Sequence, residues 1–436
     1  MPKSLSTTPK KVFRRDFTLM VIGQIISLFG NAILRFSLSV CVLDMTGSAG
    51  AFAGISALSM VPTILLSPVG GVLADRVSRK RIMAVLDFVT AAMLIAFTFF
   101  FQSAPSVALI GGAMVILSII QSFYQPSVQA SIPSLVDQEG LMTANGTVAQ
   151  VNALANLLGP ILGGVLYGVV GLFPVLYVSI VCFFCSAVME CFLRIPFVRQ
   201  EKRGGAFRTV VADFSEALHF LRKEREGLFQ LLFLVAAINL FFSAMVIVGL
   251  PYLIKIFLGL SSQMYGLAQG AMGVGSILGG LFAGAVAKKM KFSNSHVLLL
   301  VTGILALPMG LSVITGQWPW ASFAIILVSV TAMMCCTTLF SVYAQTILQK
   351  LTPTGLLGKV SSFIMVICMC ALPLGQALYG VLFDWTQSYA FTIVLLAGAV
   401  SILLAVLSRK MLKKFTDLDG GEEPPEQNSV IETEML

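Results

Sequence analysis

Apolar residues dominate this chain in long continuous blocks divided by short polar stretches. Twelve blocks can be drawn, at roughly 17–43, 49–74, 82–102, 106–130, 142–168, 172–194, 228–255, 262–287, 294–314, 319–345, 355–382 and 388–408. A bilayer core of about 30 Å is crossed by about 20 residues of α-helix. Lipid offers no partner to an unpaired backbone group, so only helices and closed barrels span it. A barrel strand would alternate apolar and polar residues. These blocks do not alternate, and the pattern predicts an all-α integral membrane protein with twelve transmembrane helices.

Charge refines the picture. Only 11% of the 436 residues are charged and 57% are hydrophobic, whereas soluble domains carry about 25% charged residues. With the N-terminus in the cytoplasm, 26 of the 28 Lys and Arg residues fall in cytoplasmic segments, leaving Arg35 and Lys255. That is the positive-inside bias, and it predicts a multi-pass protein of the cell (inner or plasma) membrane with both termini cytoplasmic. The bases Lys10, Lys11, Arg14 and Arg15 precede an apolar block too long for the core of a cleavable signal. Eight cysteines all sit inside apolar blocks. Cys182 and Cys185 have CxxC spacing but no second pair or histidine nearby, so they read as packing residues and no metal site is expected.

The longest polar connection, 195–227, divides the chain into bundles of six helices, 1–194 and 228–410. Within it Phe207, Val210, Val211, Phe214, Ala217, Leu218 and Leu221 recur at helical spacing, with Arg208, Asp213, Glu216, Arg222 and Lys223 on other faces. This predicts an amphipathic surface helix, either a brace or a regulatory docking element. Residues 411–436 read as a disordered acidic tail. The two halves repeat each other. Gly70-Gly71-Val72-Leu73-Ala74 returns 209 residues later as Gly279-Gly280-Leu281-Phe282-Ala283. Gly140-Leu141 returns as Gly355-Leu356, and Gly163 with Tyr167-Gly168 returns as Gly375 with Tyr379-Gly380. A duplication of this kind places a substrate site between the halves near mid-membrane, with access alternating as one half rocks against the other.

Two motifs are sharper than the background. After the second span the chain reads Gly71-Val72-Leu73-Ala74-Asp75-Arg76-Val77-Ser78-Arg79-Lys80-Arg81. An acid before a cluster of bases suits a latch, in which Asp75 faces a helix N-terminus in one state and loses it in the other. The stretch resembles the signature loop of the major facilitator superfamily, G-x-L-a-D-r-x-G-r-k, with Ser78 where glycine is usual. The resemblance implies the major facilitator fold, two pseudo-symmetric six-helix bundles, and a cytoplasmic gate at Asp75, Arg76 and Arg79 that stabilises the outward-open state. The fifth span holds Gly146, Ala155, Gly159-Pro160 and Gly163-Gly164. Small residues at this spacing allow close helix contact, and a proline removes one hydrogen bond. The run is similar to the antiporter motif of drug exporters in that superfamily, with Ala155 replacing one glycine, and implies export. The closest resemblance is to the bacterial branch of macrolide-efflux and enterobactin-export proteins. Drug exporters often carry an arginine in the fourth span; here Ile116 to Gln125 holds no charge, so the usual proton relay is not implied.

Polar residues inside spans mark candidate sites. Gln24, Ser27, Asn31 and Arg35 form one stripe on the first span, facing a cavity, or with Arg35 snorkelling to the surface. Gln121, Gln125, Asn152, Asn156, Asn239, Gln269, Gln345 and Gln376 complete a substrate-cavity list, with Tyr124, Phe241, Phe242 and Tyr343 as aromatic surface. As a set they suit uncharged, bulky or anionic small molecules. Asp87 is a possible proton site or a structural neighbour of Asp75. Glu190, four residues before Arg194, reads as its local ion pair. No G-x-x-x-x-G-K-[ST] occurs, and His219 and His296 are the only histidines. An ATP-driven pump and a membrane enzyme are therefore disfavoured. The expected protein is a cofactor-free, monomeric secondary transporter, exporting amphipathic drug-like or siderophore-like molecules with protons as the coupling partner, with no nucleic acid involved. A lysophospholipid translocator of the same fold is the alternative.

Overall fold

The computed structural model of the chain describes residues 15–195, 206–287, 289–314, 318–386, 389–413 and 415. Lys10, Lys11, Arg14, the side chain of Asp75 and all of the acidic tail from 416 lie outside the described residues. Twelve helices are long and apolar enough to cross a membrane. The first six are α1 (Arg15–Thr46), α2 (Ala49–Arg76), α3 (Arg79–Ser103), α4 (Val107–Leu135), α5 (Leu141–Val170) and α6 (Leu172–Cys191). After the connecting helix α7 (Ala206–His219) come α8 (Glu226–Phe257), α9 (Ser262–Ala287), α10 (His296–Ser312), α11 (Pro319–Leu351), α12 (Thr354–Trp385) and α13 (Ala390–Lys413). No strand occurs among the described residues.

Local chemistry sets the turns. Ser48 and Ser106 begin α2 and α4, their hydroxyls accepting from the backbone N–H of Ala51 and Ala108, which satisfies donors that have no partner within the helix. Gly171 alone joins α5 to α6 with φ +77°, a conformation that disfavours any side chain. Ser78 departs from the expectation attached to the signature loop. It is extended, φ −57° and ψ 114°, so no left-handed turn occurs there and glycine is not required.

The repeated sequence positions perform repeated packing. Gly70 of α2 lies against the backbone carbonyl of Ser122 on α4, and Gly279 of α9 lies against that of Cys335 on α11. Gly163 of α5 abuts Ile33 and Phe36 on α1, and Gly375 of α12 abuts Leu240 and Ala244 on α8. In each half, then, the second helix packs on the fourth and the fifth on the first. The missing side chain lets two backbones meet, which is how helices associate where no hydrophobic force separates protein from lipid. Gly71 and Gly280, by contrast, have open space where a Cβ would stand. Gly70→Val and Gly279→Val are each expected to destabilise the protein by about 1–3 kcal/mol through overpacking, lowering its melting temperature in detergent. Gly71→Ala and Gly280→Ala should leave it unchanged, and an equal loss in all four would refute this packing account.

The connecting helix packs against the second half. Ala217, Phe220 and Leu221 are buried, and Phe214 meets Phe363 of α12 edge-on at 5.5 Å. Lys359 of α12 reaches Asp213 at 3.1 Å and Glu216 at 2.6 Å. Leu218 does not join the apolar face; it is 39% exposed, because the chain changes at His219 into a wider turn over Phe220–Glu224.

Contacts between the halves gather at the end opposite the basic loops. There α5 meets α9, with Gly164 against Gly266 and Gly168 against Gln263, and α12 meets α2, with Gly380 against Gly50 and Ala53. These are the second pair of repeated motifs, Tyr167-Gly168 and Tyr379-Gly380, serving the same role twice. At the basic end of these four helices, an added Cβ at Gly71, Gly146, Gly280, Gly284, Gly355 or Gly358 would meet nothing within 4 Å.

Candidate functional site

A cavity of about 280 Å³ lies between the halves. Ala32, Arg35, Phe36 and Ser39 of α1, Phe52 and Ser56 of α2, and Asn156 and Pro160 of α5 form its first wall. Ile247 of α8 with Tyr265 and Gln269 of α9 form the second. Arg35 is the sole charged residue in this lining. Its Nε donates to Asn31 Oδ1 at 3.2 Å, and Nη2 donates to Ser118 Oγ of α4 at 2.9 Å. The polar stripe on α1 therefore turns inward, and Arg35 does not snorkel. Across the cavity Phe36 stacks on Tyr265 with ring centroids 4.9 Å apart, and Gln269 Nε2 donates to the Tyr265 hydroxyl at 2.7 Å. A guanidinium with donors to spare beside aromatic faces can bind an anionic or hydrogen-bond-accepting group while the rings cover an apolar body.

A second cavity of about 330 Å³ lies in the other half, among α8, α11 and α12. Asn239, Ser243, Thr337, Thr338, Ser341 and Gln345 supply its polar groups, and Leu228, Leu231, Leu232, Val235 and Phe340 its apolar floor. No charged residue lines it among the described residues. Asn239 lies in a stretch of α8, Ile238–Ser243, wound one residue per turn wider than an α-helix. Such bulges re-aim side chains and concentrate at functional sites.

Of the polar residues expected around one cavity, Arg35, Asn156 and Gln269 come together in the first, while Asn239 and Gln345 line the second. Asn31 acts through Arg35. Asn152 donates to the Val148 carbonyl of its own helix. Gln24 and Gln376 are buried, and Gln121 and Gln125 are half-buried; none of these four lines either cavity. Phe36, Tyr265, Ser56 and the Thr337-Thr338 pair were not singled out from sequence. Tyr265 had a legible signal, sitting one turn before Gln269 on the same face.

Asp87 and Glu190 are buried in the fold, 2% and 1% exposed, and Glu190 has a partner other than the one expected. Glu190 does not turn along its helix to Arg194 but inward, accepting from the Tyr124 hydroxyl at 2.7 Å. Asp87 accepts from Ser27 at 3.3 Å. Tyr124, expected on a cavity wall, belongs to this buried cluster instead.

The motif residues divide by position. Arg79 Nη1 donates to Ser134 of α4 at 2.9 Å, and Nε to the Ala74 carbonyl at 3.2 Å, so it closes the end of α2 within its own half. Arg76 is exposed. In α5, Gly159 and Gly163 pack on α1, Gly164 and the Pro160 carbonyl meet Gly266 of the other half, and Gly146 faces open space. At the opposite end of the molecule two acids make four contacts. Asp44 binds Lys255 of α8 at 2.5 Å and accepts from Tyr167 at 2.9 Å. Asp384 of α12 accepts from the Ser48 hydroxyl at 2.6 Å and from the Gly50 N–H at 3.0 Å. Asp384 thereby caps a helix N-terminus that belongs to the other half.

The family model described as Major Facilitator Superfamily matches residues 20–375. Macrolide efflux protein A of Streptococcus pyogenes is 25% identical over 413 residues, covering 93% of this chain and 98% of that one. Lysophospholipid transporter LplT of Photorhabdus laumondii is 25% identical over 329 residues, covering 74% and 78%. The crystal structure of nucleoside transporter NupG superposes with a TM-score of 0.71 at 13% identity, covering 92% of this chain and all of that one, which establishes a shared fold.

Proposed function

The chain belongs to the major facilitator superfamily, a family of membrane transporters rather than enzymes, and from that premise we propose that it exports bulky amphipathic small molecules, neutral or anionic, by proton-driven alternating access. The observation that carries this reading is the central cavity, in which Arg35 is the lone charge and no acid faces the lumen. A cation entering would meet like charge in a medium of low dielectric. The second cavity, with no charge among its described lining residues, likewise suits a neutral amphipathic molecule. Similarity to a macrolide efflux protein supports the export direction.

On this reading the basic loops face the cytoplasm, and the structure is an inward-open state of a monomer. The bonds of Asp44 and Asp384 hold the outer side shut, while the glycine faces at the basic end of α2, α5, α9 and α12 stand apart. Closing that end would bring the Asp75, Arg76 and Arg79 loop toward the other half, as expected of a cytoplasmic gate. Gly164 and the Pro160 carbonyl of α5, packed on Gly266 of α9, form the hinge face on which the halves roll.

The test is transport by purified protein in proteoliposomes under an imposed pH gradient, with macrolides, catecholate siderophores and lysophospholipids as the panel. Accumulation of an amphipathic neutral or anionic member, faster with the gradient than without it, is the expected result. Selective uptake of small polycations would overturn it. Movement of lysophospholipid alone would favour the lipid reading, which similarity to a lysophospholipid transporter keeps in view.

A further inference from the structure

Asp87 and Glu190 present a problem in solvation. Each keeps one carboxyl oxygen, Asp87 Oδ2 and Glu190 Oε2, that is buried and without a hydrogen-bond partner. Gln24, one turn before Ser27 on α1 and fully buried, has neither amide atom bonded. Asp87 is near enough to Glu190 for their charges to interact. A buried carboxylate is tolerated when a cation or several donors compensate it, and no Lys or Arg among the described residues pairs with either acid.

The packed helices offer none. The spans of α4 and α5 contain no charged residue. On α1, Arg35 lies eight residues beyond Ser27, about 12 Å along the axis, and is bonded to Asn31 and Ser118. Arg15 and Asp16 stand at the entrance of α1, and Asp44 is engaged at the far end with Lys255. At the start of α3, Arg79 is bonded to Ser134 and Ala74, with Lys80 and Arg81 beside it in the first turn. From α6 the cluster receives Ser186, within reach of Asp87, besides Glu190. The ligand that removes charge from such a pair without requiring space is a proton.

We propose that Asp87 and Glu190, with Tyr124 and Ser27 as hydrogen-bond donors, form a proton-binding site inside the first bundle, separate from the substrate cavity. The unpartnered carboxyl oxygens take up the proton, and the same O–H bond breaks when it leaves. Glu190 stands one residue before the end of α6, which gives a short exit toward the basic face. Coupling to the cavity runs along α1 and α4. These helices carry Ser27 and Tyr124 at the proton site, and at the cavity Arg35 on the wall with Ser118 holding it from behind. A change in charge at one pair of contacts tilts the helices that hold the other.

The inference rests on the transporter reading only for its consequence, so the decisive measurement needs no substrate. Purified protein in lipid is followed by infrared difference spectroscopy during a pH step. The expected result is a protonated-carboxyl band in the wild type that is lost in Asp87→Asn/Glu190→Gln. Tyr124→Phe and Ser27→Ala leave both acids in place and should shift that band; they serve if the double variant fails to fold. A band unchanged in the double variant, no shift in the donor variants, or removal of the band by sodium at constant pH would overturn the site. With a transported panel member, the ratio of gradient-driven to gradient-free transport should fall from at least tenfold to near one in Asp87→Asn and Glu190→Gln. A wild-type ratio in both would refute coupling through this pair, whereas failure of the wild type to move any panel member would instead sink the proposed function.

Discussion

Asp384→Asn combined with Lys255→Met is expected to open the end of the molecule opposite the basic loops, raising access to the central cavity from that side by about tenfold to a hundredfold. Asp384 holds two hydrogen bonds across the halves, from Ser48 and Gly50, and places a negative charge at the N-terminus of α2, where the helix dipole favours it. Hydrogen bonds to charged groups contribute about 1.5–3 kcal/mol each. The Lys255–Asp44 pair adds less, because the Asp44 side chain is 38% exposed and screened by solvent. An asparagine at this position still accepts through its amide oxygen, so the net loss is about that of one such bond, and with about 1.4 kcal/mol per tenfold change in population this sets the range. The measurement is the rate at which an impermeant maleimide, added from the outer side, modifies Ser56→Cys on the cavity wall, read by mass spectrometry. An unchanged rate would mean that packing of Gly164 on Gly266 and Gly380 on Gly50, not these bonds, keeps the halves together. The arrangement is also a mirror of the expected cytoplasmic latch. Asp75, at the end of α2, is expected to face a helix N-terminus; here Asp384, at the end of α12, reaches the N-terminus of α2.

The hydrophobic pattern was a faithful guide to the spans, because lipid imposes the same length and polarity on each of them. The structure mainly extends their ends, α4 to Leu135 and α11 to Leu351, where helices project beyond the apolar layer and composition no longer marks them. The repeats were legible as identities of sequence, and their meaning as contacts with Ser122, Cys335, Ile33 and Leu240 emerged only with the packing. Polar residues inside the spans were easy to find and hard to assign. A stripe such as Gln24, Ser27, Asn31 and Arg35 defines a face of α1, but not that its lower part meets α3 and α6 while its upper part meets α4 and the cavity. Glu190 had a plausible local partner in Arg194, and only the approach of Tyr124, 66 residues earlier, redirects it. Asp384 falls just past the apolar block 355–382, where composition does not mark it out from other loop residues. The widened turns of α8 have no compositional signature.

Arg35→Ala is expected to weaken binding of anionic substrates by about a hundredfold while changing the affinity of a neutral analogue by no more than about threefold. The guanidinium is anchored by Asn31 and Ser118, so its direction is set before any substrate arrives, and the ordering cost is already met. A charge-assisted hydrogen bond in a partly desolvated cavity contributes about 1.5–3 kcal/mol, or roughly one to two orders of magnitude in affinity. Arg35→Lys should fall between, since an ammonium carries the charge but cannot hold Asn31, Ser118 and a planar anion with one rigid fork. A matched pair of amphiphiles, a carboxylate and its neutral amide, separates charge recognition from loss of packing. Binding to purified protein would be followed by calorimetry for both ligands and all three side chains. Equal weakening of carboxylate and amide would show that Arg35 supports the wall of the cavity, through Ser118 and α4, without reading the charge of what enters it.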